Sequence, residues 1–406
     1  MAVLLNELFF PKTDPSTASL LAAFDFCSTY FFRPFGAAFF GFIGDYIGRK
    51  TVIILTSIMM ALTCLTIVML PTYDEIGIAA SIIMILCRAI QSMSSMGELL
   101  GSEIYLTETI PEKPMQFSIV SIMSICSSLG GFGALCCAST IFAFGLNWRW
   151  AFGIGILIAL ISIKARTKLK ESSDQVNFQL KLKEKIKINK FTKELEKKLR
   201  NDKHISPKVN WLSILNYGFI EVPYVIFFYF CFIYCAQILK NNFGYTPEKI
   251  INHNLFLGLI SLSNYCFISY LSYKLYPLIL AKIRLIIISI FCLFLPFALN
   301  NFSTPFELFL IQAFLIFFIP TAALGSSIMY SYFPPAKRFR SVALTFAIGR
   351  TFMYVVVSFG LTSLLESFGN YSILLMIFPL LIGNYFGLNY FINLEKQKSG
   401  NLKFWN

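Results

Sequence analysis

LFLIQAFLIFFIPTAALGSSIMYSYFPPA, residues 308–336, runs for 29 residues without an Asp, Glu, Lys or Arg. A helix that crosses the hydrocarbon core of a bilayer needs about 20 apolar residues, so this stretch is long enough to span one. Residues 51–73, 114–148, 285–306 and 367–394 are equally free of charge. A transmembrane β-barrel would instead show segments of about ten residues with alternating polarity, and these unbroken runs exclude it.

Working outward, eleven candidate spans emerge: 17–41, 51–70, 77–105, 115–145, 149–163, 211–239, 250–273, 277–299, 306–333, 341–365 and 370–392. The fifth is the shortest. The 406 residues are 56% hydrophobic and only 14% charged, with a mean hydropathy of +0.68. Ordinary soluble chains carry about 25% charged residues, so the charge that would coat a water-facing surface is missing. Its distribution sharpens the point, because residues 164–210 hold 15 Lys/Arg and 6 Asp/Glu, 21 of the 55 charges in the chain. A soluble enzyme, a disordered chain and a disulfide-stapled secreted domain are all excluded.

The net charge of +13 does not point to nucleic acid, since the basic residues fall in loops between apolar runs. An anionic lipid surface is the simpler partner. All ten cysteines lie inside apolar runs with no metal-binding spacing, as small hydrophobes do. Lys and Arg in alternate loops set orientation: even without the central segment, twelve fall on one side and four on the other. The richer side, which includes the C-terminus, is therefore expected to be cytoplasmic. The organisation read from these spans is an N-terminal bundle of five spans over 1–163, a basic linker over 164–210 and a C-terminal bundle of six spans over 211–406. Within the linker, Lys181 to Arg200 fits either a helix lying on the membrane surface or a solvated connector.

Between the first two spans stands GFIGDYIGRK, Gly41 to Lys50. Gly41, Gly44 and Gly48 permit close helix approach and a sharp turn, Asp45 can pair with a cation near a helix end, and Arg49 and Lys50 hold the loop inside. This string resembles the loop signature of the major facilitator superfamily, G-x-x-x-D-x-x-G-R-K. Further residues resemble its metabolite:proton symporter branch, which includes proline/betaine and 2-oxoglutarate carriers. Arg33, Pro34 and Gly36 match R-P-x-G, and Arg88, Gln91, Ser94, Gly97 and Glu98 match R-x-x-Q-G-x-S-x-G-G-E, with Ser92 and Met96 replacing two glycines. Tyr105, Glu108 and Pro111, then Trp148, Arg149 and Phe152, then Arg166, Leu169 and Glu171 continue the pattern. In the second half, Phe333, Pro334 and Arg338 resemble F-P-x-x-x-R, while Ser272, Tyr273 and Lys274 replace a second S-D-R copy.

The resemblance implies an all-α integral membrane fold of two helical bundles, here with about eleven transmembrane helices where the family has twelve. Phe9 to Ser16 is similar to the family's outer loop after its first helix, so Met1 to Leu8 is expected to be the stub of that helix, with an apolar span encoded upstream. The resemblance also implies a monomer in the bacterial inner membrane, with both a small-molecule substrate and the lipid bilayer as partners and no nucleic acid. No cofactor is expected beyond a coupling proton.

At 100° per residue, Arg88, Gln91, Ser95, Glu98 and Ser102 fall within an arc of roughly 80°. One face of an otherwise apolar helix is thus polar and charged, and such a face belongs against a bundle interior or a watery cavity. Arg88 would attract a carboxylate and Glu98 could carry a proton; a satisfied interhelical ion pair is the alternative for these charges. Asp25, Arg33, Glu103, Glu221 and Arg350 are further embedded candidates. Asp25 departs from the family, where a small or apolar residue is usual. The expectation is import of a small zwitterionic or carboxylate metabolite by proton symport. Its rivals are a degenerate, non-transporting remnant and a membrane-embedded transferase, for which only His253 is near an appropriate position.

Overall fold

The computed structural model describes residues 9, 30–110, 112–172, 176, 180 and 208–399. Asp25, Cys27, Pro111, His204, the stretch 181–200 and most of the first candidate span lie outside the described residues. The described elements are helices: α1 Arg33–Tyr46, α2 Arg49–Met69, α3 Ile78–Thr109, α4 Lys113–Ala143, α5 Arg149–Thr167, α6 Trp211–Glu221, α7 Pro223–Tyr229, α8 Cys235–Phe243, α9 Pro247–Lys274, α10 Pro277–Asn301, α11 Pro305–Phe318, α12 Ser326–Ser331, α13 Arg338–Phe368 and α14 Ser372–Ser399. Nine helical stretches among the described residues are long and apolar enough to cross a membrane, and Pro305–Phe318 is a shorter apolar helix.

The outward faces agree with an apolar solvent. Leu157, Ile158, Leu160 and Ile161 of α5 are all more than half exposed, and α5 has no buried residue at all. The shortest expected span is thus a helix of 19 residues. Cysteine behaviour is mixed: Cys87, Cys231, Cys235 and Cys292 are buried, whereas Cys126 and Cys266 are exposed, and none of the nine described cysteines is joined in a disulfide.

Three expectations about individual elements need correction. The string Gly41 to Lys50 is not a loop throughout, because α1 runs on through Tyr46 and α2 begins at Arg49. Only Ile47 and Gly48 separate the two helices. The expected span 306–333 is not one helix: α11 stops at Phe318 and α12 starts at Ser326. Pro320 has no N–H to give and disfavours helical backbone at Ile319, whose ψ is 130°; Gly325 then turns at φ +90°. The sixth span is a continuous apolar run over Trp211–Phe243, but its helix is interrupted at Val222, before Pro223, and widens into a π-helix over Phe230–Tyr234.

Packing sorts the chain into two compact units. The first comprises Met1–Thr109, Cys137–Lys208 and Pro334–Thr351; the second comprises Ile110–Cys136, Val209–Phe333 and Phe352–Asn406. In the first, α2 lies against α3 and α5, and α1 lies against α3. The α1–α3 approach is close enough that a Cβ on Gly36 would meet the Met93 backbone at 2.5 Å. In the second unit α14 packs on α6 and α10, and α9 on α11.

Candidate functional site

Arg49 is fully buried, and its surroundings explain how a guanidinium tolerates that. It donates to the Gly44 carbonyl at 2.7 Å, to the Pro335 carbonyl at 2.7 Å and to Glu108 at 3.0 Å. Arg338 meets the same Glu108 oxygen at 2.8 Å, and the Ser172 hydroxyl donates to the other at 2.6 Å. Asp45 accepts from the backbone N–H groups of Phe339 and Arg340, at 3.1 and 3.0 Å, where α13 begins. An anion at a helix N-terminus satisfies orphan donors and complements the dipole. Glu171 does the same for α2, accepting from Arg49 N at 2.9 Å and Lys50 N at 3.4 Å. The Lys50 ammonium donates to the Thr167 carbonyl at 2.9 Å.

The glycines of this turn are explained by space. A Cβ on Gly41 would sit 2.7 Å from the Arg340 Cα, and one on Gly44 would collide with the Phe339 ring. Gly48 has φ +145°, and a Cβ there would strike the Glu171 carboxylate. At this turn, outside the apolar spans, burial pushes the Asp45 carboxyl up to about 7 even though the Arg49 charge pulls the other way. Desolvation wins because Arg49 is already matched by Glu108 at shorter range.

The second constellation is the polar face of α3. Arg88, Gln91, Ser95, Glu98 and Ser102 are all half-buried, while Ser92, Ser94, Met96 and Gly97 between them are buried. Gln91 Nε2 lies 3.7 Å from Cys64 Sγ. Glu98 is ion-paired with Arg166 of α5 at 2.6 Å, and both side chains remain partly open. Arg166 also bonds the Ser57 hydroxyl of α2. At the other end of this unit, the Arg33 guanidinium lies over the Tyr30 ring at 4.4 Å and that of Arg350 over Phe346 at 4.1 Å. Thr351 donates to the Tyr30 carbonyl at 2.9 Å, so Tyr30 links the neighbourhoods of Arg33 and Arg350.

The family model described as "Major Facilitator Superfamily" matches residues 11–360. The chain belongs to the major facilitator superfamily. Solved members agree in fold: a proton:xylose symporter structure superposes with a TM-score of 0.69 at 14% identity, covering 98% of this chain and 90% of that one. The human organic anion transporter MFSD10 gives 0.61 at 14% identity, covering 93% and 86%. Among curated relatives, the proline/betaine transporter of Escherichia coli K12 is 34% identical over 143 residues, which is 35% of this chain and 29% of that protein. The glycine betaine/proline/ectoine/pipecolic acid transporter OusA of Dickeya dadantii is 33% identical over 143 residues, 35% and 28% of the two chains. The alignment therefore spans under a third of either relative.

In this superfamily member, reading the sequence did not single out three arrangements. Arg166 appeared only as a motif residue, not as the partner of Glu98. Arg284 falls inside the expected span 277–299; in α10 it is 4% exposed and donates to Asn264 Oδ1 at 3.0 Å and to the Phe317 carbonyl. His253 pairs with Gln312 at 2.8 Å, and Gln312 donates to the Cys231 carbonyl in the π-helical turn at 2.6 Å. The span holding Arg284 was legible from Pro277 onward, but its partners lie on other helices that no local pattern connects to it.

Proposed function

We propose that this protein is a secondary transporter, not an enzyme, and that it imports a small zwitterionic or carboxylate-bearing metabolite, proline- or betaine-like, by proton symport with alternating access. The observation that carries this reading is the half-buried stripe Arg88, Gln91, Ser95, Glu98 and Ser102 on an otherwise apolar helix. Charged groups at membrane depth mark substrate or ion pathways. The names of the aligned relatives supply the substrate class, and the alignment supports it only over its own length.

In this reading Arg88 takes the substrate carboxylate through its planar fork, with Gln91 one turn along to share the contact. Ten residues separate Arg88 from Glu98, about 15 Å along the helix, so one small zwitterion does not bridge their backbone positions. Glu98 is then a candidate for the coupling proton, reached when its pair with Arg166 opens. Arg33, Arg350 and Asp25 remain candidates for the same pathway. The cluster of Gly41, Gly44, Asp45, Gly48, Arg49 and Lys50 serves as the gating turn, on the cytoplasmic side by the charge count. The setting is the bacterial inner membrane, with the C-terminus inside and the protein acting as a monomer.

Uptake of radiolabelled proline, glycine betaine and a dicarboxylate is the test, in a host stripped of its own carriers. Saturable uptake of a zwitterion, stronger at acidic external pH and at least tenfold lower in Arg88→Lys at equal protein in the membrane, is expected. Absence of saturable uptake for all three probes, with the protein present in the membrane, contradicts the reading.

A further inference from the structure

Three arginines are buried among the described residues: Arg49, Arg284 and Arg338, at 0%, 4% and 5% exposed. Arg49 and Arg338 share the carboxylate of Glu108. Arg284 has no acidic partner among the described residues; its hydrogen bonds go to an amide and a backbone carbonyl. It lies seven residues past Pro277 in the apolar run Pro277–Asn301, about 10 Å along the helix. A charge there is costly unless it is paired as well as hydrogen-bonded.

What the protein supplies around Arg284 is neutral. Asn264 Oδ1, at 3.0 Å, and the Phe317 carbonyl both accept from Nη2. That carbonyl belongs to the last turn of α11, whose dipole offers only a partial negative charge. The Phe317 and Phe318 rings lie 5.9 and 5.5 Å from the guanidinium carbon, near the limit of cation–π attraction. The Tyr265 phenol acts on the same charge and is uncharged at physiological pH. Lys282, two residues earlier, is a further cation, held by Asn389 Oδ1 at 2.9 Å. The surroundings therefore carry surplus positive charge.

The donors tell the same story. A guanidinium has five N–H groups, three of them on Nε and Nη1. Neither nitrogen has an acceptor among the described residues, and neither is among the buried polar atoms closed to solvent. A strap that only closed the end of α11 would need one nitrogen, and Nη2 already serves both Asn264 and Phe317. The remaining donors sit beside the break between α11 and α12, and non-helical backbone at membrane depth is tolerated where protein buries it or where it lines water.

We propose that Arg284 is an anion-binding site of the second unit, taking a compact monovalent anion: a halide from solvent or a free carboxylate such as that of the substrate. The anion accepts from Nε or Nη1 and supplies the charge that Glu108 supplies to Arg49 and Arg338. The site stands apart from the transport reading, which bears only on whether the substrate's carboxylate is one of its occupants.

Chlorine magnetic resonance of the purified protein in detergent reads the site without transport, because halide exchanging on and off the protein broadens the chloride line. Part of the wild-type broadening should be lost in Arg284→Gln. Asn264→Asp is the second variant: it sets a carboxylate against Nη2, keeps the guanidinium in place and should lose the same part. Broadening common to all three proteins reports surface charges. Melting gives an independent reading: at equal ionic strength the wild type should melt higher in sodium chloride than in sodium morpholinoethanesulfonate, whose anion is bulky, and the difference should vanish in Asn264→Asp. Excess proline that removes the Arg284-dependent broadening marks a carboxylate as an occupant, and broadening that survives proline marks a halide site; either upholds the proposal. A chloride line as broad in folded Asn264→Asp as in wild type overturns it, whether or not Arg284→Gln folds. So does equal broadening in wild type and folded Arg284→Gln, which would leave surface charges as the whole effect.

Discussion

Asp45 shows how one side chain balances burial against charge. It is 4% exposed and accepts two backbone N–H groups at the start of α13, yet loss of water outweighs these bonds and its carboxyl rises from the ordinary 3.8 to about 7. The folded state therefore holds a proton that the unfolded chain has already released. Stability contributed by this group is fully present below the ordinary value and is lost as pH climbs through about 7. Asp45→Asn removes the titration while keeping an acceptor for one N–H. We expect the melting temperature of the purified wild type to fall relative to Asp45→Asn as pH is raised from 4 towards 7, then to run parallel. Parallel curves across the whole range would show that Asp45 titrates in the fold as it does in the unfolded chain.

At the scale of elements, the helices were legible because runs such as 51–73 and 367–394 leave nothing but a span to form. The motif residues were legible too, since Gly44, Asp45 and Arg49 need their spacing to let α1 and α2 turn within two residues. What the sequence concealed was the interruption of 306–333 and the polar groups that serve it. Pro320 and Gly325 are visible as residues, but apolar spans tolerate both, and only tertiary partners make a break stable. Those partners come from other helices: Arg284 reaches the Phe317 carbonyl, Asn264 reaches that of Ile316 at 3.5 Å, and Ser121 that of Ala323 at 3.3 Å. A cation at the C-terminal end of α11 also complements its dipole. Asn264 holds the buried guanidinium as well, so its loss strands both a carbonyl and a charge. Asn264→Ala should cost about 1–3 kcal/mol, and less in an Arg284→Met background, because the stranded charge is then gone. Thermal melting of the two single variants and the double variant in detergent checks this; strictly additive losses would separate the two residues energetically.

Across the whole molecule, both units place carboxylates at membrane depth beside partners of different character. Glu98 faces a guanidinium in the first unit and Glu221 a phenol in the second. The sequence marked both acids by their place in apolar runs, but no local pattern connects Glu98 to Arg166, 68 positions away, whereas Tyr217 stands one helical turn from Glu221. The central claim is that substrate entry and proton entry are one process. Purified protein in vesicles loaded with a pH-sensitive dye tests this most directly, with no gradient imposed and proline added outside. The account predicts that the lumen acidifies as labelled proline enters, in fixed proportion to it, and that making the membrane leaky to protons abolishes the pH change while labelled proline still enters. Entry of proline with no change in internal pH would contradict it.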